Sequence, residues 1–190
     1  FKEVSLTFKS GHANEPKVGI AGVYEKLVTS NTHGTGSVFG GSMTSFIVYN
    51  ANGTSTLSKA VKALFSGCVK VPVTLKALTE VIKDVIQHTE DLAPLPERQV
   101  KLAYKHTAFG NSKLWSTDEY IAKLQELTVK DVQEYIADNL VGNNIVVSYC
   151  GPIDSEHPEE DVNEVAKVVE KYFGKLPAGT KKADCSLDYT

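Results

Sequence analysis

The sequence predicts an α+β fold in which helices pack on one face of a mixed, mainly antiparallel sheet. Short segments alternate apolar and polar residues with the period of two typical of half-buried strands, and longer segments space their apolar residues along one face of a helix. The chain has 190 residues, of which 42% are hydrophobic and 23% are charged. Because soluble domains with one core have this composition, the disordered, collagen-like and coiled-coil classes are excluded.

Three segments are predicted as strands. Residues 4–8 alternate Val, Leu and Phe with polar residues, and residues 145–149 are rich in β-branched side chains. Residues 43–49 are also strand-like, and the dipeptide Asn52-Gly53 that follows them is typical of a turn. The glycine-rich residues 34–41 are expected to form a loop or a flexible hairpin.

Helical spacing predicts a first helix over residues 20–28, a second over residues 55–65 and a third introduced by Pro72 and Thr74. Pro94 and Pro96 then begin a helix that runs to about Tyr104. The first helix is expected to bury Ile20, Val23, Tyr24, Leu27 and Val28. The apolar stripe of the third comprises Leu75, Leu78, Ile82, Val85 and Ile86.

Two capping arrangements predict the starts of the next helices. Ser116 with Glu119 forms a capping box, and Thr128 with Asp131 is an aspartate variant of it. The first of these helices follows a loop at residues 110–115. The second of these helices covers residues 129–140 and gives way to a loop at residues 142–144.

The last predicted helix covers about residues 155–173, and Gly174 stands at its C-terminal cap. We therefore expect residues 1–174 to form one domain. Residues 175–190 are polar and contain Pro177 and Gly179, which is typical of a linker or tail.

Charge and composition exclude two classes of partner. The formal net charge is −3 and no continuous basic stripe is present, so no nucleic-acid partner is predicted. No apolar run approaches the length of about 20 residues that a membrane helix needs, so no membrane span is predicted. The odd number of widely spaced cysteines, Cys68, Cys150 and Cys185, favours a fold without disulfides. Because the first residue is Phe1, either a presequence has been removed or the chain is a piece of a longer one.

The sequence predicts no metal, cofactor or nucleophile site from its motifs. No two of the five histidines are three or four residues apart, the spacing at which two side chains of one helix can bind a metal together. Surface or capping positions are therefore predicted for them rather than a metal site. The five histidines are His12, His33, His88, His106 and His157. The glycine-rich residues 34–41 lack the G-K-[ST] ending of a phosphate loop, and no G-x-S-x-G motif is present.

Residues 10–27 resemble the catalytic entry of the mitochondrial processing peptidase and respiratory-chain core protein family, part of the pitrilysin-type zinc peptidases. In that family a strand ending in S-G precedes a helix with the motif H-x-x-E-H, whose histidines bind zinc and whose glutamate polarises the attacking water. Here Gly22 replaces the first histidine, Glu25 keeps the glutamate and Lys26 replaces the second histidine. An ammonium group at a ligand position repels a cation. The resemblance therefore implies a vestigial zinc motif.

The family's third zinc ligand is a glutamate on a later helix, and Leu78 takes its place, with Glu80 two residues away. The separation between these two helices is shorter than the family shows. Further along the chain, five segments follow the family's order. They are residues 106–110, 116–121, 127–132, 144–147 with Gly151, and 172–176.

The resemblance implies half of a processing-peptidase-like subunit, with residues 175–190 leading to a second half that is absent here. It implies a non-catalytic core subunit of the ubiquinol–cytochrome c reductase complex on the matrix side of the mitochondrial inner membrane. The alternative is a catalytically silent processing-peptidase subunit that helps recognise presequences; an active zinc peptidase is less favoured. The implied partners are a second such half or subunit and the membrane subunits of a respiratory complex. No catalytic residue, cofactor or metal ligand is predicted, and only Gly22, Glu25 and Lys26 mark the vestigial site.

Overall fold

A computed structural model describes residues 2–11, 15–31, 37–42, 47–53, 56–109, 115–152 and 156–180. Within these residues the fold is α+β, as the sequence predicts. One four-stranded sheet carries the helices. The strands are β1 (Lys2–Phe8), β2 (Ser37–Ser42), β3 (Ile47–Gly53) and β4 (Ile145–Cys150).

The strands lie in the order β2-β3-β1-β4, and every described pairing is antiparallel. On one side of β1, Phe8 lies opposite Ile47 of β3; on the other, it lies opposite Ile145 of β4. The first strand of the sequence is thus a central strand, and the predicted strand near the end of the chain is its neighbour. Such pairing of distant segments is decided by the tertiary fold.

One prediction for this region is wrong. Asn52-Gly53 does not form a turn, because Asn52 pairs with both Glu3 and Ser37 inside the sheet. There the hydrogen bonds of neighbouring strands outweigh the local preference of asparagine and glycine for turns. Of the two alternatives predicted for the glycine-rich segment, the structure agrees with the hairpin, since residues 37–42 form β2, which pairs antiparallel with the next strand, β3. The rest of the glycine-rich segment, residues 34–36, and residues 43–46 of the predicted strand lie outside the described residues.

The helices follow the predicted order with shifted ends. The helix predicted to stop near Tyr104 continues for another turn, because no helix breaker occurs before Gly110. The helix bounds are α1 Ile20–Asn31, α2 Leu57–Leu64, α3 Leu75–Leu92, α4 Pro96–Phe109, α5 Thr117–Gln125, α6 Val129–Asn139 and α7 Pro158–Phe173. A π-helical turn, Phe65–Val69, extends α2, and a 3₁₀ turn, Gly142–Asn144, leads into β4. None of the helices in the described parts of the chain has both the length and the apolarity needed to cross a membrane.

The predicted caps are confirmed. The Ser116 hydroxyl accepts from the Glu119 amide at 3.2 Å, and the Glu119 carboxylate accepts from the Ser116 amide at 2.9 Å. Thr128 and Asp131 form the same reciprocal pair at the start of α6. Gly174 is the C-cap of α7. Helices α5 and α6 therefore begin, and α7 ends, at the capping residues that the sequence predicts.

The helices cover one face of the sheet, as predicted. Val4, Leu6 and Phe8 of β1 are buried, whereas the side chains between them are partly exposed. In β4, Val146 is 60% exposed on the uncovered face. The core lies between the buried face of β1 and the helices. The five residues predicted to form the inner face of α1 are all buried.

Candidate functional site

Helix α1 carries Gly22, Glu25 and Lys26, the positions of the predicted vestigial motif, and a carboxylate fixes its first turn. Glu15 accepts hydrogen bonds from the backbone amides of Gly19, at 2.8 Å, and Ala21, at 3.0 Å. These are N–H groups that have no partner within the helix, and a negative charge at this end also complements the helix dipole. Glu15 thus acts as the cap of the helix.

The chain enters α1 through Gly19, whose φ is +82°. Residues with a Cβ rarely adopt this conformation. A Cβ at Gly19 would also lie only 2.5 Å from Cδ2 of Leu124 on α5. Glycine is therefore required here both by the backbone conformation and by the close approach of α5.

The inner face of α1 is held by a buried tyrosine. The Tyr24 hydroxyl donates a 2.8 Å hydrogen bond to the backbone carbonyl of Cys68 in the π-helical turn. The Tyr24 ring packs edge-on against Phe8, at 5.9 Å between centroids, and Tyr135, at 5.7 Å. Burial, followed by the proximity of Cys68 and Tyr135, raises the pKa of Tyr24 well above its usual value. Burial likewise raises the pKa of the Cys68 thiol, which keeps it protonated and unreactive.

A second buried hydrogen bond ties the end of β1 to α6. The hydroxyl groups of Ser10 and Tyr135 lie 2.8 Å apart, and both residues are buried. Burial raises the pKa of Tyr135, and the hydrogen bond to Ser10 partly offsets that effect. The serine of the S-G dipeptide that precedes the motif helix therefore has a structural partner in the core.

The three motif positions lie together on one face of α1, as their spacing of three and four residues requires. This face points away from the core: Gly22 and Glu25 are partly exposed and Lys26 is exposed. Gly22 offers no side-chain ligand, and the ammonium of Lys26 has no lone pair to donate while it is charged. Glu25 is thus the one metal-binding side chain among the three.

The third ligand position also lacks a donor. Leu78 on α3 is 2% exposed and forms part of the core. Glu80 points outward, with a side chain 66% exposed and a distance of 3.9 Å to Lys76. Within the described residues, no group of three or more His, Cys, Asp or Glu side chains could hold a metal ion. Gly22, Lys26 and Leu78, at the positions that the sequence resemblance assigns to zinc ligands, therefore offer no donor for zinc.

The remaining sequence candidates within the described residues lie on separate elements. His88 is exposed on α3, and His157 is the exposed N-cap of α7. His106 lies on α4, and His12 and His33 lie outside the described residues. Cys150 is exposed at the end of β4, whereas Cys68 is buried.

Sequence reasoning missed the residues that position α1. Glu15 and Gly19 are four residues apart just before the helix, a signal that could have indicated an acidic cap and a positive φ. Lys17, in the same segment, forms a 2.7 Å ion pair with Asp131 of α6. No sequence pattern predicts this contact, because the two residues lie far apart along the chain.

Solved structures with this fold include peptidase-like proteins and a respiratory complex. The sequence itself matches no protein-family model and no curated protein. A chain of complex III2 from Candida albicans superposes with a TM-score of 0.79 at 20% identity, covering 100% of this chain and 45% of that one. The peptidase M16 inactive domain from Pseudomonas fluorescens gives 0.78 at 13% identity, covering 97% of this chain and 48% of that one.

A protease from Helicobacter pylori also matches, with a TM-score of 0.77 at 16% identity, over 99% of this chain and 48% of that one. The fold is thus that of an M16 peptidase-like half, as the sequence resemblance implies. The chain spans a little under half the length of each of these three structures.

Proposed function

We propose that this protein is a non-catalytic, structural subunit of the ubiquinol–cytochrome c reductase complex, on the matrix side of the mitochondrial inner membrane. The observation that carries the proposal is a fold that superposes along its whole length on a chain of complex III2. It is supported by Gly22, Lys26 and Leu78, which offer no zinc donor at the positions that the resemblance assigns to zinc ligands. A fold that keeps its core while losing its metal ligands acts through its surface.

The packing of the site supports a structural role. Leu78 contributes to the core at the place where a zinc ligand would stand, so the position now stabilises the fold. Tyr24, in the middle of the motif helix, holds the π-helical turn through its hydroxyl group. These contacts tie α1 into the interior, and none of the three positions that the resemblance assigns to zinc ligands, Gly22, Lys26 and Leu78, offers a donor.

The partners that we propose follow from the length of the chain. Since it spans under half of each of the three superposed structures, we propose that a second processing-peptidase-like half or subunit lies beside it in the assembly. Membrane subunits of the respiratory complex would complete the contacts. The division into a domain of residues 1–174 and a linker of residues 175–190 remains a prediction from the sequence.

A catalytically silent subunit of a mitochondrial processing peptidase is the second candidate. It is supported by the superposition on the M16 inactive domain, whose TM-score of 0.78 nearly equals that of the complex III2 chain. Such a subunit would contact a peptidase subunit that carries an intact H-x-x-E-H motif. Retention of Glu25 alone supports an active zinc peptidase much less, because a glutamate base needs a metal-bound water to act on.

One preparation tests these candidates. The protein is isolated gently from its native membrane fraction, and haem absorbance, zinc per chain and the co-purifying subunits are measured on the same sample. Haem-containing partners, with no zinc stoichiometric to this chain, support the core-subunit proposal. A haem-free assembly with a zinc-bearing peptidase subunit overturns it in favour of the second candidate, and zinc bound at one per copy of this chain overturns both.

A further inference from the structure

The polypeptide after α7 folds back onto the body of the protein. The amide of Leu176 donates to the Phe173 carbonyl at 3.1 Å, and the Leu176 side chain packs against the core. The next carbonyls accept from the 3₁₀ turn before β4: Pro177 from the Gly142 amide at 2.8 Å, and Ala178 from the Asn143 amide at 2.9 Å. We call residues 177–179 the strap.

Gly179 ends the strap in a conformation that suits only glycine. Its φ is +63°, and a Cβ there would lie 2.4 Å from Cβ of the buried Val141. Its carbonyl accepts a 3.0 Å hydrogen bond from the side-chain amide of Asn143. The contact with Val141 and the hydrogen bond from Asn143 therefore both hold Gly179 in place.

We propose that the strap fixes the point and direction in which the chain leaves the fold, so that the residues following Thr180 start from a defined position beside the turn into β4. The polar composition of residues 175–190, with a proline and a glycine, is typical of a flexible linker. The strap makes the first part of this segment a rigid junction instead.

The turn that receives the strap explains why the contact forms. The amides of Gly142 and Asn143 stand at the start of a 3₁₀ turn, where backbone N–H groups have no partner within the turn. The strap supplies carbonyls to both of them. Val141 at the same time gains the backbone of Gly179 as a packing surface. The proposal rests on these contacts and not on the proposed function.

Amide hydrogen exchange measured by NMR on the full chain tests the strap. In the wild-type protein the amides of Gly142 and Asn143 are expected to be protected. Gly179→Ala is expected to lower their protection about tenfold or more, because the strained φ and the contact with Val141 oppose docking. The control Thr180→Ala changes the next residue, which is exposed, and is expected to leave both amides protected. The amides of β1 report that the fold is intact in each variant.

Limited trypsin digestion gives a second readout at Lys175, an exposed residue just before the strap. Cutting there requires the strap to open, so it is expected to be slow in the wild type and in Thr180→Ala. Asn143→Ala, which removes one strap hydrogen bond from an exposed side chain and leaves the core unchanged, is expected to speed it. Free exchange of the Gly142 and Asn143 amides in the wild-type protein, or equal cutting at Lys175 in all variants, overturns the proposal.

Discussion

The hydroxyl group of Tyr24 on α1 donates a buried hydrogen bond of 2.8 Å to the carbonyl of Cys68 in the π-helical turn. The two residues belong to elements that are separated in the sequence by two strands and helix α2. This bond holds the motif helix against the end of α2. It also satisfies a carbonyl that water cannot reach.

Tyr24→Phe is therefore expected to destabilise the protein by about 1 to 3 kcal/mol, because the Cys68 carbonyl would lose its partner in the core. Urea unfolding followed by circular dichroism measures the change. Tyr104→Phe is the matched control, since Tyr104 is 66% exposed on α4. Its replacement should change the free energy of unfolding little. Equal stability of the two variants would show that the hydrogen bond is unimportant.

Gly19→Ala is expected to lower the free energy of unfolding by about 2 to 4 kcal/mol, because alanine disfavours the left-handed backbone and its Cβ would crowd Leu124. The measurement is again the free energy of unfolding. Gly142→Ala serves as control, because an added Cβ there would meet its nearest neighbours at an ordinary 3.6 Å and no positive φ is involved. A cost for Gly19→Ala no larger than for Gly142→Ala would contradict the structural reason given for this glycine.

The lowered pKa of Asp131 predicts that the protein loses part of its stability in acid. Hydrogen bonds from Lys17 and Thr128 lower the pKa of its carboxyl from 3.8 to about 2. A carboxyl whose pKa is lower in the folded state stabilises the fold above its unfolded pKa, and this contribution disappears as the pH falls from 3.8 towards 2.

We expect Asp131→Asn to be less stable than wild type at neutral pH and to lose less stability on acidification through this window. Unfolding free energies at several pH values between about 5 and 2 give the comparison. Asp118→Asn, at an exposed carboxylate of the first turn of α5, is the control variant. Parallel profiles for Asp131→Asn and wild type would refute the role of the ion pair.

The motif face of α1 should accept zinc once its ligands are restored. The double variant Gly22→His with Lys26→His places two imidazoles four residues apart on an accessible helix face, a spacing that suits joint coordination. We expect it to bind Zn²⁺ more tightly than either single variant in isothermal titration. Binding no tighter than that of the single variants would mean that the two positions do not face a common site.

Local sequence signals predicted those parts of the fold that depend on neighbouring residues. The period of α1 defined its buried face, and Ser116 and Thr128 marked the starts of α5 and α6, because caps and amphipathic faces depend on residues a few positions apart. The replacement of zinc ligands by Gly22 and Lys26 is implied by the family resemblance and stays a prediction. The failure occurred at Asn52-Gly53, where β3 pairs with the distant strand β1.

By itself, the sequence determined the fold class and the order of the helices, since short-range periodicity suffices for these. Only the tertiary structure decided the strand order, the contact that holds Tyr24 of α1 against Cys68, and the return of Gly179 to Val141. Each of the latter depends on the free energy gained when surfaces far apart in the chain meet, and no local pattern encodes which surfaces these are.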